Sequence, residues 1–193
     1  MNCNFVQVKK NSIKIIRDFI KADSGKVNYS TKFGSDHSGF IKNLGYLPER
    51  PYFHANLTGQ EFVEYMAKLH DMKRAEYLNQ IKRWSERLGI AHALNRKLQN
   101  YSKGMLQRVG LAQAMINDPE FLFLDEPTLG LDPQTRNHIW DYIMNLNKEK
   151  GLTVFFTTHY MEEAEYLADH IEIIHKGKII AEGSLEELIK IIF

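Results

Sequence analysis

Apolar residues recur at helical spacing near the start of the chain. Between Ser12 and Ile20 they stand at positions 13, 16, 19 and 20, a pattern that predicts a short buried helix. The polar run Asp23-Ser24-Gly25 ends that pattern. A second apolar run, Leu44 to Pro48, predicts a strand that the proline terminates.

The middle of the chain shows helical patterns only. Thr58 and Glu61 have the spacing of a capping box, and an apolar helical face follows them. A second apolar face, around Trp84, ends at Gly89, which favours the end of a helix. Ser102 precedes a third helix, whose amino end is a natural site for an anion. Residues from about 58 to 100 therefore form a helical block.

After Pro119 strands and helices alternate. The apolar runs 121–124 and 153–158 predict buried strands, and Pro133 predicts the start of the helix between them. A shorter helix and a hairpin of 171–174 with 179–181 complete the pattern. Strands that alternate with helices indicate an α/β fold with a parallel sheet, here with a helical insertion.

Composition adds the expectation of an ordinary globular domain. The 193 residues are 44% hydrophobic and 25% charged, which is typical of a chain that folds around one core. The 25 basic and 24 acidic residues nearly cancel, so no overall positive charge indicates a nucleic-acid partner. The single Cys3 excludes an internal disulfide and fits a reducing cytosol. No apolar stretch reaches the length of a membrane span, so we expect membrane association only through a partner.

The chemistry concentrates where the predicted strands end. Asp125 and Glu126 follow one apolar strand, and His159 follows the next. Because parallel strands deliver their carboxyl ends to one edge of a sheet, we expect these side chains to meet in a common crevice. An aspartate there can hold Mg²⁺, a glutamate can deprotonate an attacking water, and a histidine can contact a terminal phosphate.

Each of these residues also has a simpler structural interpretation. An apolar run that ends in two acids is often a buried strand entering a turn. Asp132 before Pro133, and Ser102 before its helix, are both ordinary helix caps. His159 alone is more often a hydrogen-bonded residue at a strand end, and the other seven histidines show no spacing typical of metal ligands. Only the order of these residues along the chain favours a functional site.

That order resembles a known family. The stretch YSKGMLQRVGLAQAMINDPEFLFLDEPTLGLDP with the later TTHYMEEAEYLAD is similar to the nucleotide-binding subunits of ABC transporters. The resemblance implies a P-loop NTPase-like parallel sheet, with ATP and Mg²⁺ as cofactors. It implies the following roles: Tyr101 to Met105 as the signature motif, with Ser102, Lys103 and Gly104 at the nucleotide; Asp125 as the Walker B magnesium ligand; Glu126 as catalytic base; Asp132 as the D-loop acid; His159 as the switch histidine.

Two departures from the commonest family pattern indicate a subtype. The signature has Lys103 and Met105 where glycine and glutamine are usual, and LGYLPERPYF places Glu49 where a Q-loop glutamine is usual. Both variants resemble the single-cassette ATPases of small ABC-2-type exporters. We therefore interpret them as marks of that group, with Glu49 near the nucleotide.

The Walker A loop is missing from the sequence. That motif needs Gly-x4-Gly-Lys followed by serine or threonine, so that bare amides wrap the phosphates. The two Gly-Lys pairs, at Gly25 and Gly177, lack both the earlier glycine and the following hydroxyl. Family spacing puts the loop's lysine at Lys9, with Lys10 in the hydroxyl position. We expect the first strands and the P-loop to be absent and the chain to be impaired in hydrolysis, through truncation or a degenerate Walker A.

The resemblance therefore predicts one partial ABC ATPase domain over residues 1–193. Residues 50–116 form a helical subdomain with the signature helix, and 9–49 and 117–193 belong to the α/β core. The implied function is ATP hydrolysis that drives an integral membrane permease, in a dimer of two cassettes, on the cytoplasmic side of the cell membrane. The alternatives are a non-catalytic cassette that supplies a signature motif or binds the permease only, and an ABC ATPase that acts on ribosomes or DNA.

Overall fold

The computed structural model describes residues 10–29 and 37–192, and the side chains of 12–29 and 37–190. Within these ranges the α-helices are α1 (Lys10–Ile16), α2 (His37–Lys42), α3 (Gly59–Leu69), α4 (Arg74–Arg87), α5 (Lys103–Ala114), α6 (Pro133–Lys150), α7 (Met161–Leu167) and α8 (Leu185–Ile192). The strands are β1 (Leu44–Leu47), β2 (Phe121–Asp125), β3 (Thr153–Thr157), β4 (Ile171–His175) and β5 (Lys178–Gly183).

The described strands form two sheets. The first has the order β1-β2-β3 with both pairings parallel, so β2 is central. Leu47 lies opposite Leu124 and Asp125 lies opposite Thr157, which brings the carboxyl ends of all three strands to one edge. The second sheet is the antiparallel hairpin of β4 and β5. The predicted α/β fold with a parallel sheet is confirmed.

Apolar side chains hold helices against this sheet. Leu122 and Leu124 of β2 are fully buried in one large cluster together with Trp84 of α4 and Ile139 of α6. The opposite face of β2 packs in a smaller cluster through Phe123, beside residues of α1 and α2. A strand buried on both faces needs apolar residues at every position, which explains the unbroken run FLFL.

The first predicted helix is shorter than expected. It ends at Ile16, and Asp18 takes a left-handed φ of 56°, which stops the helical path. Ile13 is fully buried as predicted, whereas Phe19 and Ile20 are exposed beyond that turn. The expected burial of these two residues was therefore wrong, because their helical register does not continue past the turn.

The cap predictions are confirmed. Thr58 accepts a hydrogen bond from the Glu61 amide while the Glu61 carboxylate accepts from the Thr58 amide, which is a complete capping box. Asp132 caps α6, whose first residue is Pro133. Among the residues that the model describes, no helix combines the length and the apolar character needed to cross a membrane.

Close packing of β1 against the end of α5 leads to a stability prediction. A Cβ on Gly45 would lie within contact distance of the Ala114 carbonyl oxygen, which belongs to backbone and cannot rotate away. We expect Gly45→Ala to lower the free energy of unfolding by about 1–3 kcal/mol, the usual cost of overpacking a core.

Gly110→Ala is the matched control for this substitution. There the added Cβ would meet the end of the Leu47 side chain, 2.6 Å away, which can shift, and alanine also favours the α5 helix. The free energy of unfolding of both variants is measured in urea. An equal decrease in Gly45→Ala and Gly110→Ala would contradict the packing argument.

Candidate functional site

The end of β2 carries a buried acid that is held by the neighbouring strand. Asp125 is only 2% exposed, and its Oδ1 accepts a 2.7 Å hydrogen bond from the Thr157 hydroxyl. The Glu126 amide donates to both the carbonyl oxygen and the hydroxyl of Thr157, each at 3.1 Å. Thr157 therefore aligns both acids relative to β3. The Thr157 hydroxyl was not predicted as part of the site, although its place at the end of a buried strand was a signal.

Glu126 and His159 meet at the common edge that the sequence predicts, and there they contact each other directly. The Glu126 Oε2 lies 2.8 Å from the His159 Nδ1. Glu126 adopts a left-handed φ of 53°, which is unusual for a residue with a side chain and costs free energy. This conformation turns the chain sharply after β2, at a place where strained backbone is typical of functional sites.

The environment of Glu126 raises the pKa of its carboxyl above the ordinary value. Burial is the largest cause, the hydrogen bond and charge of His159 oppose it, and the negative charges of Glu163 and Asp125 add to it. A carboxylate with a raised pKa is a better proton acceptor near neutral pH. The raised pKa therefore distinguishes the chemistry of Glu126 from that of an ordinary exposed glutamate.

The end of β1 contributes to the same edge of the sheet. Burial, and then the charge of Asp125, raise the pKa of the Tyr46 hydroxyl, and Glu49 adds to the effect. The Arg17 guanidinium lies 4.0 Å from the centre of the Tyr46 ring, and its charge partly offsets this rise in the pKa of Tyr46. Glu49 is 3.6 Å from Arg50 and is largely shielded from solvent. Tyr46 thus lies within electrostatic reach of both Asp125 and Glu49, and the sequence indicated neither Tyr46 nor Arg17.

The predicted signature residues form a second group with Asp132. Ser102 caps α5 by accepting from the Met105 amide at 3.2 Å. Asp132 accepts from the Thr135 amide at 2.9 Å and from its hydroxyl at 2.7 Å, and these bonds lower the pKa of Asp132. The methyl group of Thr135 lies against Gly104, where a Cβ would be only 2.9 Å away. The start of α5 and the start of α6 therefore touch through Thr135.

Lys103 extends this second group. A Cβ added to Gly130, which has a φ of 67°, would meet the Lys103 ammonium group. Lys103 therefore lies over the loop that leads to Asp132. Both capping interpretations made from the sequence, for Ser102 and for Asp132, hold in this structure. They do not conflict with a further role, since each residue keeps exposed polar atoms.

A buried acid links the helix after His159 to the loop after Glu126. Glu163 of α7 is fully buried, and its Oε1 accepts from the Thr128 hydroxyl and from the Trp140 indole, both at 2.8 Å. Its Oε2 has no partner among the described residues. Because breaking these bonds would leave a buried carboxylate unsatisfied, Glu163 holds α7, α6 and this loop together.

The donors at the sheet edge are of the chemical kind that suits a magnesium ion. Asp125, Glu126 and Glu49 supply only oxygen ligands, which Mg²⁺ prefers. Lys9, the remaining predicted site residue, lies outside the described residues. The other predicted site residues all lie within the part of the chain that the structure describes, and they form two groups. Asp125, Glu126, His159 and Glu49 lie near this edge of the sheet. Ser102 to Gly104 lie together with Asp132.

Comparison with known proteins identifies the family. A family model described as "ABC transporter" matches residues 9–129. An uncharacterized ABC transporter ATP-binding protein of Synechocystis is 40% identical over 183 residues, which is 94% of this chain and 51% of that protein. The bacitracin transport ATP-binding protein of Bacillus licheniformis is 33% identical over 94% of this chain and 59% of its own length. A daunorubicin resistance ATP-binding protein of Streptomyces coeruleorubidus is 33% identical over 93% of this chain and 57% of its own length.

Solved structures agree with the sequence matches. An ATP-binding subunit of an ABC transporter superposes with a TM-score of 0.81 at 26% identity, over 97% of this chain and 81% of that one. The ADP conformation of an ATP-binding cassette of an ABC transporter shares the fold, with a TM-score of 0.81 at 23% identity. The match covers 97% of this chain and 82% of that one.

The fold is the α/β fold of the ABC ATPases. The chain belongs to the ABC transporter family and resembles its ATP-binding subunits. It spans between about half and three fifths of the length of the curated relatives described above.

The raised pKa of Glu126 predicts a pH-dependent effect on stability. The folded protein favours protonated Glu126, so this group stabilises the fold below its ordinary pKa, and the contribution is lost as pH rises through the raised value. Glu126→Gln stays neutral at every pH. We therefore expect the urea midpoint of Glu126→Gln, relative to the natural chain, to be higher at pH 7.5 than at pH 4.5.

Glu165→Gln, on the exposed surface of α7, is the control for the loss of one charge. It should show a much smaller dependence of its relative midpoint on pH. A relative midpoint of Glu126→Gln that falls between pH 4.5 and pH 7.5 would show that the pKa of Glu126 is not raised.

Proposed function

We propose that this chain binds Mg²⁺-ATP and takes part in its hydrolysis, as the energy-supplying subunit of an ABC transporter. The observation that carries the proposal is the 2.8 Å contact between Glu126 and His159 beside buried Asp125. A carboxylate with a raised pKa, a histidine and a magnesium-type acid, all at one edge of a parallel sheet, suit attack of water on a phosphate.

Each of these residues has a distinct proposed role. Asp125, held by Thr157, is placed to bind the magnesium ion directly or through water. Glu126 accepts the proton of the attacking water, and His159 contacts the terminal phosphate while orienting Glu126. Glu49 completes the oxygen ligands on the magnesium side. The metal ion itself neutralises charge that develops on the phosphate.

The second group of residues is proposed to act on a nucleotide held by another cassette. Ser102 and Lys103 are exposed at the start of α5, where helix amides and a positive charge attract phosphate. Asp132 lies next to them through Thr135. We propose that two cassettes pair, so that the helical subdomain of 50–116 faces the core of its partner.

The phosphate-binding loop is the part of the site that these residues do not supply. The 193 residues contain no Gly-x4-Gly-Lys-Ser/Thr sequence, and Lys9 lacks the glycines around it. We propose that hydrolysis by this chain requires such a loop from outside these residues. Without it the chain would serve as the non-catalytic cassette, contributing Ser102 and Gly104 to a partner's site.

Catalysis is tested in a chimera that joins this chain to the glycine-rich loop of an active relative. Glu126→Gln removes the proposed base and keeps its shape, so turnover should fall by about a hundred to ten thousand fold. Binding of Mg²⁺-ATP should remain. Phosphate release and calorimetry are the measurements, with Glu165→Gln as the control for the same change in charge. Equal turnover in the Glu126→Gln chimera and the unmodified one would remove Glu126 from the mechanism.

A groove beside the end of β1 is proposed to bind the permease. Exposed aromatic and polar side chains surround it, with Tyr52 81% exposed and Tyr65 46% exposed. Phe53 is less available than the sequence indicates, because it packs on Phe62 with ring centres 5.2 Å apart. A rigid floor with an exposed aromatic rim suits a short helix of a membrane protein. Through it the chain would sit at the inner face of the membrane.

The names of two relatives support a proposal about the kind of permease. By their names, one serves bacitracin transport and another daunorubicin resistance. We therefore propose that the partner is a separate membrane permease of an ABC-2-type exporter. The compound that it moves depends on the permease.

Loss of the exposed aromatic anchor should weaken this association. We expect Tyr52→Ala to reduce co-purification of the permease by more than about tenfold, because a central aromatic anchor contributes about 2 kcal/mol or more and about 1.4 kcal/mol is a factor of ten in affinity. Tyr166→Ala, an exposed tyrosine on α7 outside the groove, is the control. Unchanged recovery with Tyr52→Ala would exclude the groove as the docking site.

A further inference from the structure

The hairpin of β4 and β5 carries a cluster with no assigned role. His170, Glu172 and Glu182 each offer a ligand atom, and these atoms all lie within 4.8 Å of one another. The hairpin is a separate sheet from the one that bears Glu126 and His159. The cluster is therefore independent of the proposed nucleotide site.

The geometry of the hairpin explains why these three residues meet. His170 directly precedes β4 and stands two residues before Glu172, a spacing that puts both side chains on one face of extended chain. Glu182 of β5 pairs directly opposite Glu172. A histidine and a carboxylate at i and i+2, with a third ligand across the strand pair, converge on one point above the sheet.

The two carboxylates of the cluster are only partly compensated. Two carboxylates directly opposite each other on paired strands repel and destabilise the pairing. No side-chain hydrogen bond or ion pair joins Glu172 or Glu182 to any other residue that the structure describes. Burial and then Glu182 raise the pKa of the Glu172 carboxyl, and His170 only partly opposes that rise while also acting on Glu187 at the start of α8. A bound cation would relieve this repulsion.

We propose that His170, Glu172 and Glu182 bind a divalent transition-metal ion of the Zn²⁺ class and clamp the hairpin. An imidazole with two carboxylates suits Zn²⁺ better than Mg²⁺, which prefers oxygen ligands only. Three protein ligands leave one position of a tetrahedral Zn²⁺ to water. Zn–N and Zn–O bonds of about 2.0–2.1 Å in a tetrahedron place the ligand atoms roughly 3.4 Å from one another. Small rotations of the side chains, above all of exposed Glu182, would bring the ligand atoms from within 4.8 Å to that separation.

The clamp would stiffen the part of the fold that carries α8. Gly183 ends β5 beside Glu187, and Leu188 of α8 packs with Ile171 of β4 in a small apolar cluster. Joining β4 to β5 through a metal ion therefore supports the packing of α8. Binding stabilises the folded state, so the melting temperature should rise with metal concentration.

The test uses the full chain without a polyhistidine tag, treated with EDTA and carrying Cys3→Ser to remove the one thiol. Titration with ZnCl₂ by calorimetry should show one equivalent bound. Because loss of even an outer ligand contact weakens metal affinity by about 10–100-fold, His170→Ala and Glu182→Gln should each weaken it by at least about tenfold. Each should also abolish the Zn²⁺-dependent rise in melting temperature. Co²⁺ absorption in the visible range reports the ligand geometry.

His175→Ala is the matched control, because His175 lies at the far end of the same hairpin. Its affinity for Zn²⁺ should equal that of the Cys3→Ser parent. If His170→Ala does not fold, the affinity of the exposed Glu182→Gln variant for Zn²⁺ decides whether the metal site exists. No uptake at tens of micromolar ZnCl₂, or equal affinity in the parent, His170→Ala and Glu182→Gln chains, would overturn the proposal. Neither result would depend on ATP hydrolysis.

Discussion

The parallel pairing of β2 with β3 is the constraint on which the site depends. Asp125 lies opposite Thr157, so the Thr157 hydroxyl meets the Asp125 carboxylate while the Thr157 carbonyl meets the Glu126 amide. His159, two residues later, then reaches Glu126. A slip of one residue would turn every side chain of β2 to the opposite face. Such a slip would exchange Leu122 and Leu124 in the large cluster with Phe123 in the smaller one, and side chains of different shape would then misfit both clusters.

Burial of acids is the second feature of this site. Asp125 and Glu163 are almost completely buried, and each is stabilised by donors from another element. Glu126 is only partly compensated, and its pKa is raised. An acid that is costly to ionise in the folded protein lowers stability at neutral pH, and the same property makes it a better proton acceptor. Stability and the proposed chemistry are therefore opposed at Glu126.

Contacts through Thr135 and Glu163 couple the two groups of site residues. Thr135 joins the start of α5 to Asp132, and Glu163 joins the loop after Glu126 to α7, which follows His159. A shift of the loop between Glu126 and Asp132 would therefore affect both the start of α5 and the helix that follows His159. Such linked elements suit the proposed function, in which nucleotide binding would move a partner.

The sequence by itself determined the strands, the central helices with their caps and the order of the site residues, but neither α2 nor α8 nor the end of α1. Unbroken apolar runs, the Thr58 capping box and Pro133 depend on local rules, so they were predictable. Tertiary structure alone decided that Thr157 aligns both acids and that Glu163 is buried, because residues more than thirty positions apart meet only when strands pair and helices pack. It also decided that His170 and Glu172 face Glu182, since the strand register that brings them together is a property of the folded hairpin.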